Sequence, residues 1–527
     1  MIRSVWILAM MAAAGLVGVD AIAAERPNIL IILADDLGYS DLGCYGGEIE
    51  TPHIDGLAAE GLRYSQFYNT ARCWPSRAAL MTGLYPHQAG MAMIYGRDAP
   101  AAYRGVMPPG TELISERLAP LGYRSYHAGK WHLNGPAPDP ATTLPLARGF
   151  VRSYAVMGHD NYFAPRSVLD DGLPVPEFPD DYYVTDAISD RMVACLQQHA
   201  IAHEDQPFFG YLAYTAPHFP LHARAEDVAT WLGRFREGWD ISRARRLEHL
   251  RREGLLDCGL SPRDPEARAW DELTEDDQAI WDARMAVYAA MIASMDRGIG
   301  RVLEQIDAMG AADDTLVMFL SDNGASAEYI IRGEGDDPAA PPGSRGSYKC
   351  LEIGWANAAN APLRMTKIWT HEGGISTPLV VRWPRGISAR GEVRHDVGHL
   401  IDILPTLLEL TGAGAAAEGA RELPGRSLLS SFQGEAQPPR GPLFWEHQGN
   451  KALRDGDWKI VAEFEGDWEL YDLGTDRSET VDLASRHPEI VTRLAKEWSR
   501  LAAEYGVVDW ATFPQSRQKH TPEYRMK

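Results

Sequence analysis

Long apolar runs along the chain give the first structural signal. Residues 28–34, 208–214 and 316–320 are rich in branched and aromatic side chains and contain few polar positions. Strands that are buried on both faces, as in a parallel sheet, have this pattern. Residues 123–128 and 379–383 are further strand candidates. We therefore predict an α/β fold built on a large, mostly parallel sheet.

Other segments have the spacing of helices that pack against such a sheet. Apolar side chains recur every three or four residues between Met285 and Ile306, which is typical of an amphipathic helix. A second helix is predicted for residues 402–410, and residues 57–67 are predicted to form a helix followed by a short strand. Helices are therefore expected to flank the sheet.

The last hundred residues have a different pattern. Short apolar segments are separated by turn residues, which predicts an antiparallel sheet; they are residues 443–446, 451–454, 458–461 and 469–472. An amphipathic helix is predicted near residues 490–501. These elements predict a smaller C-terminal α+β subdomain over residues 421–527, following a main domain over residues 25–420.

Two segments of the main domain lack a clear place in the sheet. Residues 223–282 are charged and contain several tryptophans, and are interpreted as an insertion that either shapes access to a site or forms a surface lobe. Residues 325–364 are rich in Gly, Pro and Asp, and are interpreted as a long loop over the site.

The N-terminus resembles an export signal. A short basic start precedes an apolar stretch, and small residues favour cleavage after Ala23 or Ala24. We expect residues 1–24 to be a signal peptide and the mature protein to be periplasmic or secreted, although a retained anchor is the alternative. No other run is long enough to cross a bilayer, and the net charge of −22 argues against binding nucleic acid.

Oxygen-bearing side chains follow two of the predicted strands. Asp35 and Asp36 follow the first strand, and Asp322 and Asn323 follow residues 316–320. In open α/β sheets the ligand site lies at the carboxyl ends of the strands. Carboxylate and amide oxygens suit calcium or magnesium. The sequence therefore predicts that these four residues share one cation.

Cationic and imidazole side chains also follow predicted strands. Lys130 and His132 follow residues 123–128, His218 follows residues 208–214, and Lys367 follows the predicted loop. Each residue alone is as compatible with the surface or the core as with a site. Their repeated position after strands favours one polar site.

Cys73 lies at the start of a predicted short helix. Pro75 suits the first helical turn and Gly83 suits the C-terminal cap. The free N–H groups of a helix N-terminus favour an anion near position 73. Arg77 is expected one turn further on, on the same face.

The sequence around Cys73 resembles the signature of the type I, formylglycine-dependent sulfatases of the alkaline phosphatase superfamily. Cys73-Trp74-Pro75-Ser76-Arg77 has the spacing Cys-x-Pro-Ser-Arg, and the following residues to His87 are also similar. The resemblance extends from Arg26 to about Leu483 and includes, in the family's order, residues 28–38, 129–132, 216–218, 321–324, 354–357, 362–364, Lys367 and 372–374.

The resemblance implies an alkaline-phosphatase-like fold, with a catalytic sulfatase domain over residues 25–420, and a set of roles. One calcium ion would be held by Asp35, Asp36, Asp322, Asn323 and position 73. Position 73 would be a formylglycine made from Cys73 by a formylglycine-generating or anaerobic sulfatase-maturating enzyme. Arg77, Lys130, His132, His218 and Lys367 would surround it as catalytic residues, with Lys130, His218 and Lys367 also contacting the substrate.

The charges agree with this reading. A sulfate ester is an anion, and cationic groups offset its repulsion from an anionic nucleophile. In the hydrated aldehyde one hydroxyl attacks sulfur, with His218 as the acid for the leaving oxygen. The second hydroxyl is deprotonated, with His132 as the base, so that the aldehyde re-forms as sulfate leaves.

The natural substrate is left open between aryl esters and sulfated carbohydrates. His447 and Asn450, together with Glu446 and Gly449, are candidates for substrate recognition, or else ordinary surface residues of the subdomain. A phosphonate or phosphate ester hydrolase of the same superfamily is the nearest alternative. A noncatalytic carbohydrate-binding relative is a third reading. If Cys73 is modified, the remaining four cysteines allow zero, one or two disulfides.

Overall fold

The computed structural model describes residues 26–158, 160–413 and 421–514. The predicted signal peptide lies outside these residues. Within the described chain, no helix combines the length and the apolar composition that a bilayer span requires.

A ten-stranded sheet forms the centre of the protein, in the order β10-β2-β9-β8-β1-β7-β3-β4-β5-β6. Its strands are β1 (Asn28–Ala34), β2 (Leu62–Tyr68), β3 (Arg124–Lys130), β4 (Phe150–Gly158), β5 (Ser167–Asp170), β6 (Leu173–Pro174), β7 (Phe208–Ala213), β8 (Thr315–Ser321), β9 (Leu379–Arg382) and β10 (Glu392–His399). β1 pairs in parallel with β7 and β8, and β3 pairs in parallel with β4 and β7. β9 is antiparallel to both of its neighbours. The predicted mostly parallel sheet is therefore confirmed.

Twelve α-helices are assigned among the described residues. They are α1 (Pro52–Ala59), α2 (Cys73–Thr82), α3 (Ile114–Leu118), α4 (Val184–Ala202), α5 (Ala225–Trp231), α6 (Gly238–Arg252), α7 (Glu275–Ala308), α8 (Glu352–Ala359), α9 (Glu372–Ile375), α10 (Ile403–Thr411), α11 (Leu429–Phe432) and α12 (Pro488–Tyr505). The predicted amphipathic helix before β8 is thus α7.

The core has one layer on each face of the sheet. Along β1, Leu30 and Ile32 belong to the layer that contains α4 and α7. Ile29, Ile31 and Leu33 belong to the layer that contains α2 and α10. All five are fully buried. The apolar run of β1 thus reflects burial on both faces.

The C-terminal part forms the predicted antiparallel sheet, with strands in the order β11 (Leu443–His447), β12 (Asn450–Asp455), β13 (Trp458–Ala462) and β14 (Glu469–Asp472). α12 packs against β12 and β13. Leu453 and Ile460 of this sheet share the apolar layer of α2 and α10. The subdomain is therefore continuous with one face of the main core.

Segment 223–282 contributes to the core. Trp231, Trp239 and Trp270 are buried in the layer of α4 and α7. The fully buried Arg246 donates hydrogen bonds of 2.8 Å to both Asp41 and Glu48. The segment is therefore not a separate surface lobe, because its tryptophans lie inside the main core.

Segment 325–364 also differs from the prediction of a continuous loop. Its last part contains α8, and all eight residues of this helix are buried. The main-chain N–H of Ser40 donates to the Ala359 carbonyl at 3.0 Å. The last third of the segment is therefore part of the framework below the strand ends, and only the part before α8 is loop.

Candidate active site

The site lies where four neighbouring parallel strands end. Asp35 follows β1, Asp322 follows β8, Lys130 is the last residue of β3, and β7 leads to His218. All four of these side chains are buried. Because parallel strands present their carboxyl ends at one edge, the sheet brings together residues that lie far apart in sequence.

Two oxygen atoms at these strand ends have the properties of cation ligands. Asp35 Oδ1 and Asn323 Oδ1 are buried and have no hydrogen-bond partner among the described residues. Asn323 Nδ2 donates to Asp36 Oδ1 at 2.7 Å, and the main-chain N–H of Asp36 donates to Asp322 Oδ1 at 3.3 Å. Since an unpaired buried oxygen is costly, the residues fit a hard, oxygen-binding cation.

The pKa values of the carboxyl groups support the same conclusion. Burial, and then the charge of Asp35, raises the pKa of Asp322 to about 7. Burial also raises the pKa of Asp36. For Asp35 burial opposes ionisation, but Lys130 and Arg77 outweigh it and hold the pKa below its ordinary value. Three carboxyl groups crowded into one buried site are stabilised in the charged form by a cation.

Position 73 is held at the same place by helix α2. Arg72 is the N-cap and Cys73 is the first helical residue, and Gly83 ends the helix in a left-handed conformation with φ 67°. Ligand atoms of Asp35, Asp36, Cys73 and His218 all lie within 4.8 Å of one another. The predicted helix is thus confirmed, and it delivers the cysteine to the carboxylates. His218, which was predicted as a catalytic residue, also lies in this group.

The thiol of Cys73 is poorly suited to act unmodified. It is buried, and burial raises its pKa to about 12, even though Lys130 and Lys367 act in the opposite direction. A thiol is nucleophilic as the thiolate. Near neutral pH the Cys73 side chain would therefore be protonated and weakly reactive.

Arg77 connects helix α2 to two strand ends. Its Nε donates to Asp322 Oδ2 at 2.9 Å, and its Nη1 donates to the Lys130 carbonyl at 3.0 Å. Lys130 Nζ in turn donates to Asp35 Oδ2 at 2.5 Å. Arg77 is fully buried. It fixes the orientation of the site and adds a positive charge that water does not screen.

Lys367 brings a further positive charge to the site, next to Asp36. Its Nζ lies 2.9 Å from Asp36 Oδ1 and 3.1 Å from Glu328 Oε2. The next residue, Ile368, has a φ of 84°, which is unusual for a β-branched side chain. The main-chain N–H of Lys367 donates to the Ala325 carbonyl at 3.1 Å. The bend at Ile368 accompanies the placement of Lys367 against Asp36.

The two histidines face the same group of side chains. The Nδ1 of His218 lies 2.5 Å from the Phe219 carbonyl, so Nδ1 carries the proton and Nε2 faces Asp36 Oδ2 at 3.6 Å. His132 has a φ of 55°, and burial, followed by the charge of Lys130, lowers its pKa well below the ordinary value. A neutral His132 can accept a proton.

The residues expected to recognise substrate are only partly at the site. The ring of His447 lies 6.1 Å from that of Trp74, next to position 73. Asn450 Oδ1 accepts the main-chain N–H of Phe464 at 3.1 Å, within the subdomain. Glu446 does not reach the site, because its Oε2 lies 2.6 Å from His87 Nε2.

Two further charged residues were not identified from the sequence. Glu328 lies between Lys367 and Arg72, with Oε1 3.0 Å from Arg72 Nη2. The Arg72 guanidinium lies 4.8 Å from the Trp74 ring centre. Glu328 falls in the predicted loop, and nothing in the local pattern distinguishes it from the neighbouring polar residues. Its contact with Arg72 joins residues that lie 256 positions apart along the chain.

The mostly parallel sheet and the charged ends of its strands define the class of protein, a hydrolase that acts on anionic esters. A family model described as sulfatase matches residues 27–413, and one described as N-sulphoglucosamine sulphohydrolase, C-terminal, matches residues 364–504. The chain belongs to the sulfatase family of the alkaline phosphatase superfamily. It is a sulfuric ester hydrolase.

Individual relatives agree with this assignment. An uncharacterized sulfatase of Schizosaccharomyces pombe is 32% identical, over 92% of this chain and 95% of its own length. The arylsulfatase of Klebsiella aerogenes is 34% identical, over 75% of this chain and 89% of its own length. The solved structure of Ps i-CgsB in complex with k-i-k-neocarrahexaose has a TM-score of 0.66 and 26% identity, covering 90% of this chain and 93% of that chain.

Proposed function

We propose that the protein hydrolyses sulfate esters through a formylglycine formed from Cys73, beside one calcium ion. The observation that carries this proposal is the position of Cys73. Its sulfur lies in the same buried group as carboxylate oxygens of Asp35 and Asp36, and its thiol is too weakly acidic to serve as it stands. Asp322 and Asn323 complete the proposed calcium site. A bound calcium ion would supply positive charge next to the nucleophile and the sulfate.

The cationic side chains would bind the sulfate group. Lys130 contacts Asp35, Lys367 contacts Asp36, and Arg77 contacts Asp322. Once the carboxylates are occupied by a cation, the two lysines would be available to sulfate oxygens. Charge that builds up on those oxygens as the ester bond breaks is thereby stabilised, since the site is shielded from water.

Each histidine has a separate task in this proposal. The hydrated aldehyde at position 73 would offer one hydroxyl to attack sulfur and a second whose deprotonation releases sulfate. His218 would act as the imidazolium: its Nδ1–H stays bonded to the Phe219 carbonyl, and the second proton, on the Nε2 that faces Asp36, would pass to the leaving oxygen. His132 would take the proton from the second hydroxyl, for which its low pKa keeps it neutral.

For the natural substrate we propose a sulfated carbohydrate, with artificial aryl sulfates also accepted. The solved structure with a bound neocarrahexaose supports the carbohydrate, and the arylsulfatase of Klebsiella aerogenes supports the aryl esters. Trp74 is partly exposed beside position 73, and its ring lies near those of His132 and His447. An aromatic ring at this place could stack on a sugar ring or an aryl group. His447 and Asn450 remain our candidates for contacts with the substrate.

We also propose that the protein is exported with cleavage of residues 1–24 and is matured by a formylglycine-generating or anaerobic sulfatase-maturating enzyme. The basic and then apolar N-terminal pattern supports export. The Cys-x-Pro-Ser-Arg spacing supports maturation. We propose that the chain divides into a catalytic domain over residues 25–420 and a subdomain over residues 421–527.

Turnover of defined esters tests the function. Protein produced together with a maturating enzyme is assayed on an aryl sulfate, an aryl phosphate and a panel of sulfated sugars of known position. We expect release of sulfate from the aryl sulfate and from at least one sugar. A clear preference for the aryl phosphate would contradict the proposal, and activity on aryl esters alone would contradict the carbohydrate assignment.

A further inference from the structure

Glu328 is a buried carboxylate beside the site that has no part in the chemistry described above. Its side chain is 5% exposed. Oε2 lies 3.1 Å from Lys367 Nζ and accepts from Ser326 Oγ at 3.2 Å, and Oε1 accepts from Arg72 Nη2 at 3.0 Å. Both oxygens are thus engaged by cations and a hydroxyl. The residue acts on the site through its charge rather than as a metal ligand.

The charge of Glu328 is permanent under ordinary conditions. Burial opposes its ionisation, but Arg72 and Lys367 outweigh burial and hold the pKa well below the ordinary range. A negative charge therefore lies 3.1 Å from the Nζ of Lys367, the lysine proposed to contact sulfate. A substrate oxygen that Lys367 binds at about 2.8 Å would lie within about 6 Å of the Glu328 carboxylate.

Such a charge affects sulfate and phosphate esters differently. A sulfate monoester has one negative charge, whereas a phosphate monoester has close to two near neutral pH, since its second pKa is about 6. Glu328 repels each unit of negative charge on an ester that is bound at Lys367. A phosphate ester carries one unit more than a sulfate ester, so its affinity is lowered more. With an effective dielectric constant of about 20, one unit at about 6 Å corresponds to roughly a hundredfold in affinity, and water reduces this.

We propose that Glu328 is a specificity-determining residue, whose charge favours monoanionic sulfate esters over dianionic phosphate esters. This inference rests on the proposed function. It explains how the site would reject phosphate esters, the most similar competing substrates. Lys367 supplies attraction for an anion, and Glu328 limits that attraction to an anion of low charge.

The test is the Glu328→Gln variant. Glutamine has the shape of glutamate without its charge. We expect kcat/KM for an aryl phosphate, divided by kcat/KM for the matching aryl sulfate, to rise at least about tenfold relative to the unchanged enzyme. An aryl methylphosphonate is the control substrate, because it has the geometry of phosphate and a single charge. The kcat/KM for the methylphosphonate, divided by that for the aryl sulfate, should change by less than about threefold. Both esters carry one negative charge, so Glu328 repels them equally.

Variants of Arg72 provide the reciprocal test. Arg72→Gln removes the cation that partly neutralises Glu328 and should lower the phosphate-to-sulfate ratio. The double variant Arg72→Gln with Glu328→Gln keeps the formal charge of the pair and should return the ratio towards that of the unchanged enzyme. Glu328→Asp keeps the charge and should keep the ratio, which protects the test if Glu328→Gln folds poorly.

The outcomes separate this inference from the function on which it rests. If the unchanged, matured enzyme has no sulfatase activity, the proposed function fails, and this inference fails with it. If sulfatase activity is present but Glu328→Gln lowers sulfate and phosphate turnover by the same factor, Glu328 is structural and the inference alone is overturned. An equal rise for the phosphate and the methylphosphonate would also overturn it, because charge would then not be the cause.

Discussion

At the residue scale, the site depends on side chains held in unusual backbone conformations. Asp36 and His132 have φ values of 66° and 55°, and Ile368, next to Lys367, has 84°. Non-glycine residues in this region cost on the order of 1 kcal/mol or more each. Such strain persists where the surroundings enforce it, and here it turns functional side chains towards one point.

Removal of the metal is the first test at this scale. A chelator should abolish turnover and lower the melting temperature, because Asp35, Asp36 and Asp322 would repel one another without a cation. Added Ca²⁺ should restore both. The measurements are aryl sulfate turnover and thermal unfolding, on protein shown by elemental analysis to be metal-free. Full turnover of that metal-free protein would contradict the proposed calcium site.

Arg77 is expected to be irreplaceable even by lysine. Arg77→Lys keeps the charge but cannot make both the 2.9 Å bond to Asp322 and the 3.0 Å bond to the Lys130 carbonyl. We expect kcat/KM for an aryl sulfate to fall by roughly a hundredfold. Arg500→Lys, at an exposed position of α12, is the control and should retain activity. Near-normal activity of Arg77→Lys would show that the two bonds are dispensable.

Individual site residues could be predicted to the extent that they follow a strand or occupy a motif. Asp35 and Asp322 follow strands, Lys130 ends one, and Cys73 is marked by its motif. Glu328 and Arg72 could not be found in this way, since a pairing across 256 positions leaves no trace in the local pattern.

At the element scale, the approach of β3 to β7 positions Lys130. Gly129 has a φ of 121°, and a Cβ placed there would lie 1.8 Å from the Ala213 carbonyl oxygen. Gly129→Ala should force β3 away from β7 and displace Lys130. We expect a loss of at least about tenfold in kcat/KM for an aryl sulfate, together with lower stability.

Gly122→Ala is the matched control for this change. Gly122 lies just before β3 and has a φ of 88°, but a Cβ there meets no atom within 4 Å. It should cost on the order of 1 kcal/mol in stability and leave kcat/KM unchanged. An equal loss of activity in both variants would mean that backbone strain, rather than the contact with β7, is responsible.

Strands and helices could be predicted from the sequence where their buried positions follow a regular apolar pattern. β1 and β8 are apolar except at their ends, and the sequence predicts both. β10 is partly exposed and mixes charged with apolar residues, so its sequence lacks that signal. The charged composition of α5 and α6 gave no apolar pattern that predicts a buried helix. That their tryptophans are buried is known only from the packed structure.

At the scale of the whole molecule, a buried ion cluster joins the two parts of the chain. Lys459 of β13 lies 2.9 Å from Glu372 and 2.7 Å from Glu479, and Arg477 lies 2.8 Å from Glu372. Glu372 follows Lys367 by five positions. The C-terminal subdomain thus supports the segment that carries a cation of the site, which the sequence alone did not indicate.

Lys459→Met should destabilise the protein. It leaves two buried carboxylates without their shared partner, and we expect a loss of about 3 kcal/mol in the free energy of unfolding. Lys451→Met, in the neighbouring strand β12, is the control and should cost less than about 1 kcal/mol, because Lys451 is partly exposed. Denaturant unfolding measures both. Equal stability of the two variants would show that the cluster does not hold the subdomain in place.

The same cluster predicts a dependence on pH. Burial opposes ionisation of Glu372, but Lys459 and Arg477 hold its pKa at about 2, below the ordinary 4.5. Its contribution to stability is therefore present above about pH 4.5 and is lost as the pH falls towards 2. In Lys459→Met this loss on acidification should be smaller. An identical acid dependence of the two proteins would contradict the assignment of this pKa.

The chemical identity of position 73 tests the central claim most directly. Trypsin cuts after Arg72 and Arg77, so the peptide from Cys73 to Arg77 reports this residue alone among the five cysteines. In active enzyme we predict a peptide lighter than the cysteine form that reacts with an aldehyde reagent, in a fraction that tracks turnover across preparations. Full sulfatase turnover from protein whose position 73 is entirely cysteine would contradict the account.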